Sequence, residues 1–156
     1  MHITQLLTAD RIACQQELAS KKRVLEALAG LLAASIPSLA EVDIFDSLLN
    51  RERLGSTGLG TGVAIPHGRM TGIDAPVGAI ITLKNGVDYD AVDHQPVDLL
   101  FALVVPEAST DEHLQILAAL ARMFSDRKLC ENLRASQDAE QLLRVLDGWE
   151  LHRATA

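Results

Sequence analysis

The feature that most constrains the fold is an almost unbroken apolar run, Val97–Val105, whose only polar residue is Asp98. A strand that carries apolar side chains on both of its faces must be covered on both faces. A second apolar run, Val77–Leu83, has the same character and predicts another buried strand. Segments with helical periodicity precede and follow these runs. The pattern predicts an α/β fold in which helices cover one sheet on both faces.

Two helices are predicted before the strands. The first begins after Ser20, which is a favourable N-cap residue. The second begins with the capping-box sequence 38–41 and ends before Gly55, a residue typical of helix C-caps. We expect the second helix to bury Val42, Phe45, Leu48 and Leu49.

Three helices are predicted after the strands. The first of them begins with a second capping-box sequence, 109–112, and continues to about residue 125. Two shorter helices then span about 128–134 and 137–147. We therefore expect a single domain over 1–156, with its core at about 6–147 and a frayed tail at 148–156.

Composition and charge exclude several classes of function. The hydrophobic fraction of 48% is sufficient for a sizeable core, and the net charge of −7 gives no general attraction to nucleic acid or anionic membranes. No apolar stretch approaches the roughly 18 residues of a membrane span, and the first residues do not resemble a secretion signal. We expect a cytoplasmic protein with no membrane insertion and no nucleic acid partner. Cys14 and Cys130 form either a disulfide or, as a reducing compartment favours, two free thiols.

The glycine-rich segment 55–68 contains the first candidate for chemistry, His67. Pro66 restricts its own φ and the conformation of Ile65, so the imidazole is carried by a stiff backbone. Gly68 is expected to leave space beside the ring for a bulky group or another protein. Imidazole is a good nucleophile at neutral pH and a reasonable leaving group, which suits reversible phosphoryl transfer. The alternative is a loop histidine without a chemical role.

Three further residues are candidates for a supporting role. His113 lies in the first turn of a predicted helix and is expected to face inward, where it is either a satisfied core histidine or a contact for a phosphoryl oxygen. Arg51 and Arg53 lie in the last turn of the second helix, just before the glycine-rich segment. A guanidinium there either complements the helix dipole or binds phosphate through its planar fork. The residues alone do not separate the two arginines.

Other kinds of site find no support in the sequence. The glycine spacing matches neither a P-loop nor a dinucleotide-binding fingerprint, and no serine lies in a nucleophile-elbow motif. No histidine and acidic residues have the spacing of metal ligands. His2, His94 and His152 have no helpful context. We therefore predict no cofactor and no metal.

Taken together, these residues resemble a known family. The segments 48–69, LLNRERLGSTGLGTGVAIPHGR, and 94–117, HQPVDLLFALVVPEASTDEHLQIL, are similar to enzyme IIA domains of the fructose–mannitol class in the bacterial phosphoenolpyruvate-dependent phosphotransferase system. Weaker similarity extends from about Leu6 to Asp147. Within that class, the sequence is most similar to the nitrogen-regulatory branch.

The resemblance implies roles for three residues and a mixed sheet between helix layers. His67 would be the phosphorylated residue, as a tele-phosphohistidine, with His113 supporting it and Arg51 stabilising the phosphate. The resemblance thereby favours Arg51 over Arg53. It also implies a nitrogen-type HPr-like carrier as the phosphoryl donor, and regulated target proteins such as potassium transport regulators or sensor kinases.

Two other functions stay open. The protein could be a sugar-specific enzyme IIA that passes phosphate to an enzyme IIB for fructose- or mannitol-type uptake. It could also be a binding module that has the fold without the transfer chemistry.

Overall fold

The computed structural model describes residues 2–155, so Met1 and Ala156, the two ends of the predicted domain, lie outside the described residues. Two short 3₁₀ turns precede the first strand. The helices are α1 (Lys21–Ser35), α2 (Glu41–Leu54), α3 (Thr110–Phe124), α4 (Arg127–Ala135) and α5 (Ala139–Thr155). The strands are β1 (Ile12–Gln16), β2 (Gly58–Gly60), β3 (Val63–Ala64), β4 (His67–Met70), β5 (Val77–Val87) and β6 (Val97–Pro106).

The six strands form one mixed sheet. Its centre is the antiparallel pair of β5 and β6, in which Ile80 lies opposite Phe101. β1 runs parallel to β5 on one side. On the other side β3 and β4 both run parallel to β6, and β2 is antiparallel to β3. The mixed sheet that the family resemblance implied is confirmed.

Helices cover both faces of this sheet. Alternate residues of β6, such as Leu100 and Ala102, pack in a core with α1 and α2. The intervening residues, such as Phe101 and Leu103, pack in a second core with α3, α4 and α5. All residues from 99 to 105 are buried, as a strand with apolar side chains on both faces requires. The three-layer αβα sandwich is confirmed.

Two of the three predicted helix starts are confirmed. Ser20 caps α1, where its hydroxyl accepts a hydrogen bond of 3.2 Å from the backbone N–H of Arg23. The first capping box is wrong, because the N-cap of α2 is Ala40 and the Ser38 hydroxyl donates instead to the carbonyl of Gly72. Ser109 is the N-cap of α3, but its side chain makes no capping hydrogen bond. Ser38 has a competing acceptor in the Gly72 carbonyl, and Ser109 has a ψ angle of 61° that is not extended. Sequence spacing reveals neither.

The buried face of α2 also differs from the expected one. Ile44, Leu48 and Glu52 face inward with the i, i+4, i+8 spacing of one helix face. Val42 is 62% exposed, so the expectation that it is buried is wrong. The other two residues expected on this face are only half-buried, which makes the inward row narrower than predicted. They are Phe45 and Leu49.

The last helix extends beyond its predicted end at Asp147. It continues to Thr155 because two of its later residues make tertiary contacts. The indole N–H of Trp149 donates to Asp126 at 3.0 Å. The carboxylate of Glu150 accepts hydrogen bonds of 2.7 and 3.0 Å from the backbone N–H groups of Ile3 and Thr4. The frayed tail expected from residue 148 is therefore corrected to helix as far as Thr155. None of the helices in residues 2–155 combines the length and hydropathy that crossing a membrane requires.

Candidate active site

His67 lies at the start of β4, where pairing alongside β6 resumes after a break in the chain's strand structure. β3 and β4 follow the same side of β6, and Ile65 and Pro66 interrupt them. The carbonyl of Pro66 continues the ladder by accepting a hydrogen bond of 2.9 Å from the backbone N–H of Leu103. His67 then pairs with Leu103, whose side chain packs in the α3–α5 layer. His67 is thus the first residue of a strand, and the alternative of a loop histidine is wrong.

Gly68 has a different role from the one expected. It is buried on the opposite face of β4, against α2. A Cβ placed at this position would overlap the hydroxyl of Ser47 and lie 3.2 Å from the Ser47 Cβ. The space beside this glycine is therefore filled by α2. The sequence contains glycine here because the helix lies directly on the strand.

The His67 ring is fixed in one tautomer. Nδ1 lies 2.9 Å from the carbonyl oxygen of Ile65. Because a carbonyl only accepts, Nδ1 carries the proton and Nε2 has the free lone pair. Within residues 2–155, Nε2 has no hydrogen-bond partner. Burial is the main cause that lowers the pKa of His67 below 6.5, and the charge of Arg51 lowers it further, against the opposing Ile65 hydrogen bond. The ring is neutral and nucleophilic at neutral pH.

His113 lies beside His67 in the α3 layer, facing inward as expected. The two ring centres are 5.2 Å apart with an interplanar angle of 71°, and His113 is only 6% exposed. Neither of its ring nitrogens has a hydrogen-bond partner among the described residues. Its pKa is lowered, first by burial and then by the nearby His67 and Arg69. A buried polar group without a partner destabilises a fold by about 1–3 kcal/mol, so this imidazole is suited to a partner that is bound only transiently.

The structure separates the two candidate arginines. Arg51 is half-buried, and its Nη1 donates to the carbonyl of Gly55 at 2.8 Å. Arg53 is exposed, and its nearest partner is Asn50 at 3.4 Å. Arg51 and His67 line one cleft of about 360 Å³, whereas Arg53 does not. The complete lining is Arg51, Ser56, Thr57, Gly58, Leu59, Ile65, His67, Leu117, Ala118 and Ala121.

The sequence analysis missed a buried polar cluster next to this cleft. Glu52 is 6% exposed and forms an ion pair of 2.9 Å with Lys21. Its carboxylate also accepts hydrogen bonds from Thr57 and Tyr89. Glu52 occupies a position on the apolar face of α2, in line with Ile44 and Leu48. An acidic residue at an apolar position of a helix was the signal in the sequence that could have found the cluster.

The other histidines lie outside the cleft. His2 is 3.3 Å from Glu150, and His94 and His152 are exposed. No group of three or more His, Cys, Asp or Glu in the described part of the chain is arranged to hold a metal ion.

Comparison with known proteins identifies relatives along almost the whole chain. Residues 5–148 match the family described as "Phosphoenolpyruvate-dependent sugar phosphotransferase system, EIIA 2". The chain is 44% identical to a nitrogen regulatory protein of Pseudomonas aeruginosa over 94% of its own length and 95% of that protein. It is 32% identical to the fructose-specific EIIA component of Haloferax volcanii over 92% of its own length and 94% of that protein. The crystal structure of the nitrogen regulatory protein IIA-Ntr from Neisseria meningitidis superposes with a TM-score of 0.86 at 44% identity, covering 92% of this chain and 98% of that one.

Proposed function

Because the chain belongs to the EIIA 2 family of the phosphoenolpyruvate-dependent sugar phosphotransferase system, we propose that it is a histidine phosphocarrier with a regulatory output. His67 accepts a phosphoryl group from an HPr-like nitrogen-type carrier protein. The phosphorylation state of His67 then determines which target proteins the chain binds. No cofactor or metal takes part in this proposal.

The observation that carries the proposal is the hydrogen bond of His67 Nδ1 to Ile65. It leaves Nε2 as the nitrogen that attacks phosphorus. As the new Nε2–P bond forms, the bond from phosphorus to the donor's nitrogen breaks, and its electron pair stays with the donor. Nδ1 keeps its proton throughout, so the phosphorylated ring is cationic and the Ile65 carbonyl stabilises that charge.

Arg51 and His113 are proposed to stabilise the transferred group without being modified. The guanidinium of Arg51 lines the same cleft as His67 and has no carboxylate partner among the described residues. It can therefore turn from the Gly55 carbonyl to phosphoryl oxygens. His113 has two buried nitrogens without partners, and its ring is in contact range of a group bonded to His67. One of these nitrogens, as N–H, would donate to a phosphoryl oxygen.

The surface around the cleft supports docking of a protein donor. Leu54, Leu59 and Leu114 are 85%, 46% and 59% exposed. Leu59 lines the cleft itself, and Leu114 follows His113 in the sequence. Leu59 therefore offers an exposed apolar contact to a protein that docks over His67.

The regulatory output is favoured over sugar uptake by the comparisons. Identity to the nitrogen regulatory protein is 44%, against 32% to the fructose-specific component. Because the fructose-specific component is also a relative, transfer of phosphate to an enzyme IIB is the main alternative. A non-catalytic binding module is disfavoured because a neutral nucleophilic nitrogen and an arginine share one cleft.

The proposal is tested by incubating the protein with phosphoenolpyruvate, enzyme I and the nitrogen-type carrier. One acid-labile phosphoryl group should appear, and His67→Ala should abolish it. His94→Ala is the matched control, because it removes an exposed histidine outside the cleft and should leave labelling intact. Label on the His67→Ala protein would contradict the assignment. Rapid transfer to a fructose- or mannitol-type enzyme IIB would favour the uptake alternative.

A further inference from the structure

The carboxylate of Glu52 is buried in a position where apolar side chains are usual. Glu52 is only 6% exposed and lies in the same row of α2 as Ile44 and Leu48. An isolated charge in such a place is strongly unfavourable, so buried charges are kept only with partners. The partners of Glu52 show what this carboxylate holds in place.

Glu52 joins three separate parts of the chain. Lys21, the first residue of α1, lies 2.9 Å from its Oε2. The hydroxyl of Tyr89, which follows β5, donates to its Oε1 at 3.0 Å. In the glycine-rich segment, Thr57 donates both its hydroxyl and its backbone N–H, the latter at 3.2 Å to Oε2. A lysine in the first turn of a helix is disfavoured by the helix dipole, so Lys21 is stabilised there by its carboxylate partner.

The same contacts continue to His67. The carbonyl of Thr57 accepts a hydrogen bond of 3.1 Å from the backbone N–H of Ile65. The carbonyl of Ile65 in turn accepts the Nδ1–H of His67 at 2.9 Å. Three hydrogen bonds, joined by the backbone of Thr57 and of Ile65, therefore connect the carboxylate to the imidazole.

We propose that Glu52 is a positioning residue for His67. By holding Thr57, it keeps the Ile65 carbonyl directed at Nδ1, and this fixes the tautomer in which Nε2 is the free nucleophile. The inference rests on the proposed phosphocarrier function, because only there does the free Nε2 attack a phosphoryl group. It does not make Glu52 a catalytic residue, because Glu52 does not line the cleft.

The test replaces the carboxylate while leaving the site residues unchanged. The double variant Lys21→Met/Glu52→Leu removes every acceptor of Glu52 together with the cation that it balances. Apolar replacement of a buried ion pair is often tolerated by a fold. We expect the His67 imidazole ¹⁵N shifts to change from a pure Nδ1–H tautomer to a mixture. We also expect phosphorylation at saturating donor to slow about 10- to 100-fold with little change in the donor KM.

Two comparisons separate positioning from general stability. Lys21→Met/Glu52→Gln restores one acceptor oxygen for Thr57 and should recover both the tautomer and most of the rate. Glu150→Leu is the matched control, because Glu150 is also a largely buried carboxylate that accepts two backbone N–H bonds. It should lower the thermal midpoint while leaving His67 unchanged.

Three results would overturn the proposal. The first is a wild-type tautomer and rate in Lys21→Met/Glu52→Leu. The second is a failure of Lys21→Met/Glu52→Gln to recover the tautomer and the rate. The third is a change of the His67 tautomer in Glu150→Leu as large as that in the leucine double variant. If the leucine variant does not fold, Glu52→Asp keeps the charge but shortens its reach by one methylene group. An unchanged tautomer in that variant would also refute the inference. The tautomer measurement needs no phosphoryl donor, so it remains valid even if wild-type protein is never phosphorylated.

Discussion

At the scale of single residues, the chemistry of the site depends on which imidazole nitrogen has an available lone pair. His67 and His113 are both held neutral, mainly by burial, but only His67 has one nitrogen tied to a carbonyl. In the proposed function, this asymmetry would make His67 the nucleophile and leave His113 available as a hydrogen-bond partner. Arg69 lowers the pKa of both rings, whereas Arg51 lowers and Glu52 raises only the pKa of His67.

The first prediction concerns pH. Phosphoryl acceptance requires neutral Nε2, and the pKa of His67 lies below 6.5 in the folded protein. The rate should therefore fall less between pH 8 and 6.5 than it would for a histidine of ordinary pKa, and its main decline should lie below pH 6.5. The same depressed pKa means that its contribution to folding stability is present above pH 6.5 and is lost as pH falls through the folded value. Initial rates and a ¹⁵N titration of His67 check this. A midpoint above 6.5 in the titration would contradict it.

The second prediction concerns the two groups proposed to stabilise the phosphoryl group. His113→Ala and Arg51→Lys should each slow transfer by about 10²–10³-fold, the usual effect of losing one such donor. Lysine is a poor replacement because a point charge does not reproduce the guanidinium fork. Arg53→Lys is the control, since Arg53 is exposed and outside the cleft. Wild-type rates in both test variants would show that the site is wrongly assigned.

At the scale of elements, the sequence predicts the strands and layers whose positions are determined by the pattern of apolar residues. The buried strand at Val97–Val105 and the three layers follow directly from it. Ser38 does not cap α2, because its hydroxyl donates to the carbonyl of Gly72 instead, a tertiary contact that spacing does not reveal. Ser109 begins α3 as predicted, but without a capping hydrogen bond from its side chain. The fourth strand was missed because His67–Met70 has no apolar alternation and forms only by pairing with β6.

The same limit applies to the site. His67 and Arg51 were found by chemical type and resemblance, whereas Thr57 and Tyr89 were not, because neither residue type is unusual where it stands. Their role depends on contacts with Glu52 that only the folded chain forms: Thr57 reaches it from five residues away, across the end of α2, and Tyr89 from 37 residues away. Spacing along one chain segment does not contain that information.

The third prediction concerns the contact of β4 with α2. Gly68→Ala introduces a Cβ that overlaps the hydroxyl of Ser47, and overpacking of this kind lowers stability by about 1–3 kcal/mol. Ser47→Ala removes that hydroxyl, so Gly68→Ala should be less destabilising in the Ser47→Ala background. Urea unfolding of the four proteins in this cycle measures the coupling. Additive effects would mean that the two residues do not meet.

At the scale of the whole molecule, phosphorylation should change the surface and leave the fold intact. A phosphoryl group adds about 1.5–2 negative charges and strong acceptor oxygens. It would be bonded to a residue of a strand paired with β6, whose residues 99–105 are all buried between a packed core on each face. Such cores resist continuous deformation. The output is therefore expected to be a local change of charge next to the exposed leucines, which weakens binding of acidic or apolar partners more than that of basic ones.

The last prediction is that amide chemical shifts separate a local switch from a global one. Phosphorylation should shift residues near 51, 55–69 and 113 and leave α5 unchanged. Trp149 is a useful distant probe, because its indole N–H is bonded to Asp126 and reports on the packing of α5 against α4. His67→Ala should bind targets as the unphosphorylated protein does, and His67→Asp should imitate the phosphorylated form only in part, because one carboxylate carries less charge and fewer acceptor oxygens. If the indole resonance and the α5 amides move together with the site, the change is transmitted through the core that α3, α4 and α5 share. Partner choice would then depend on a rearrangement of that helix layer.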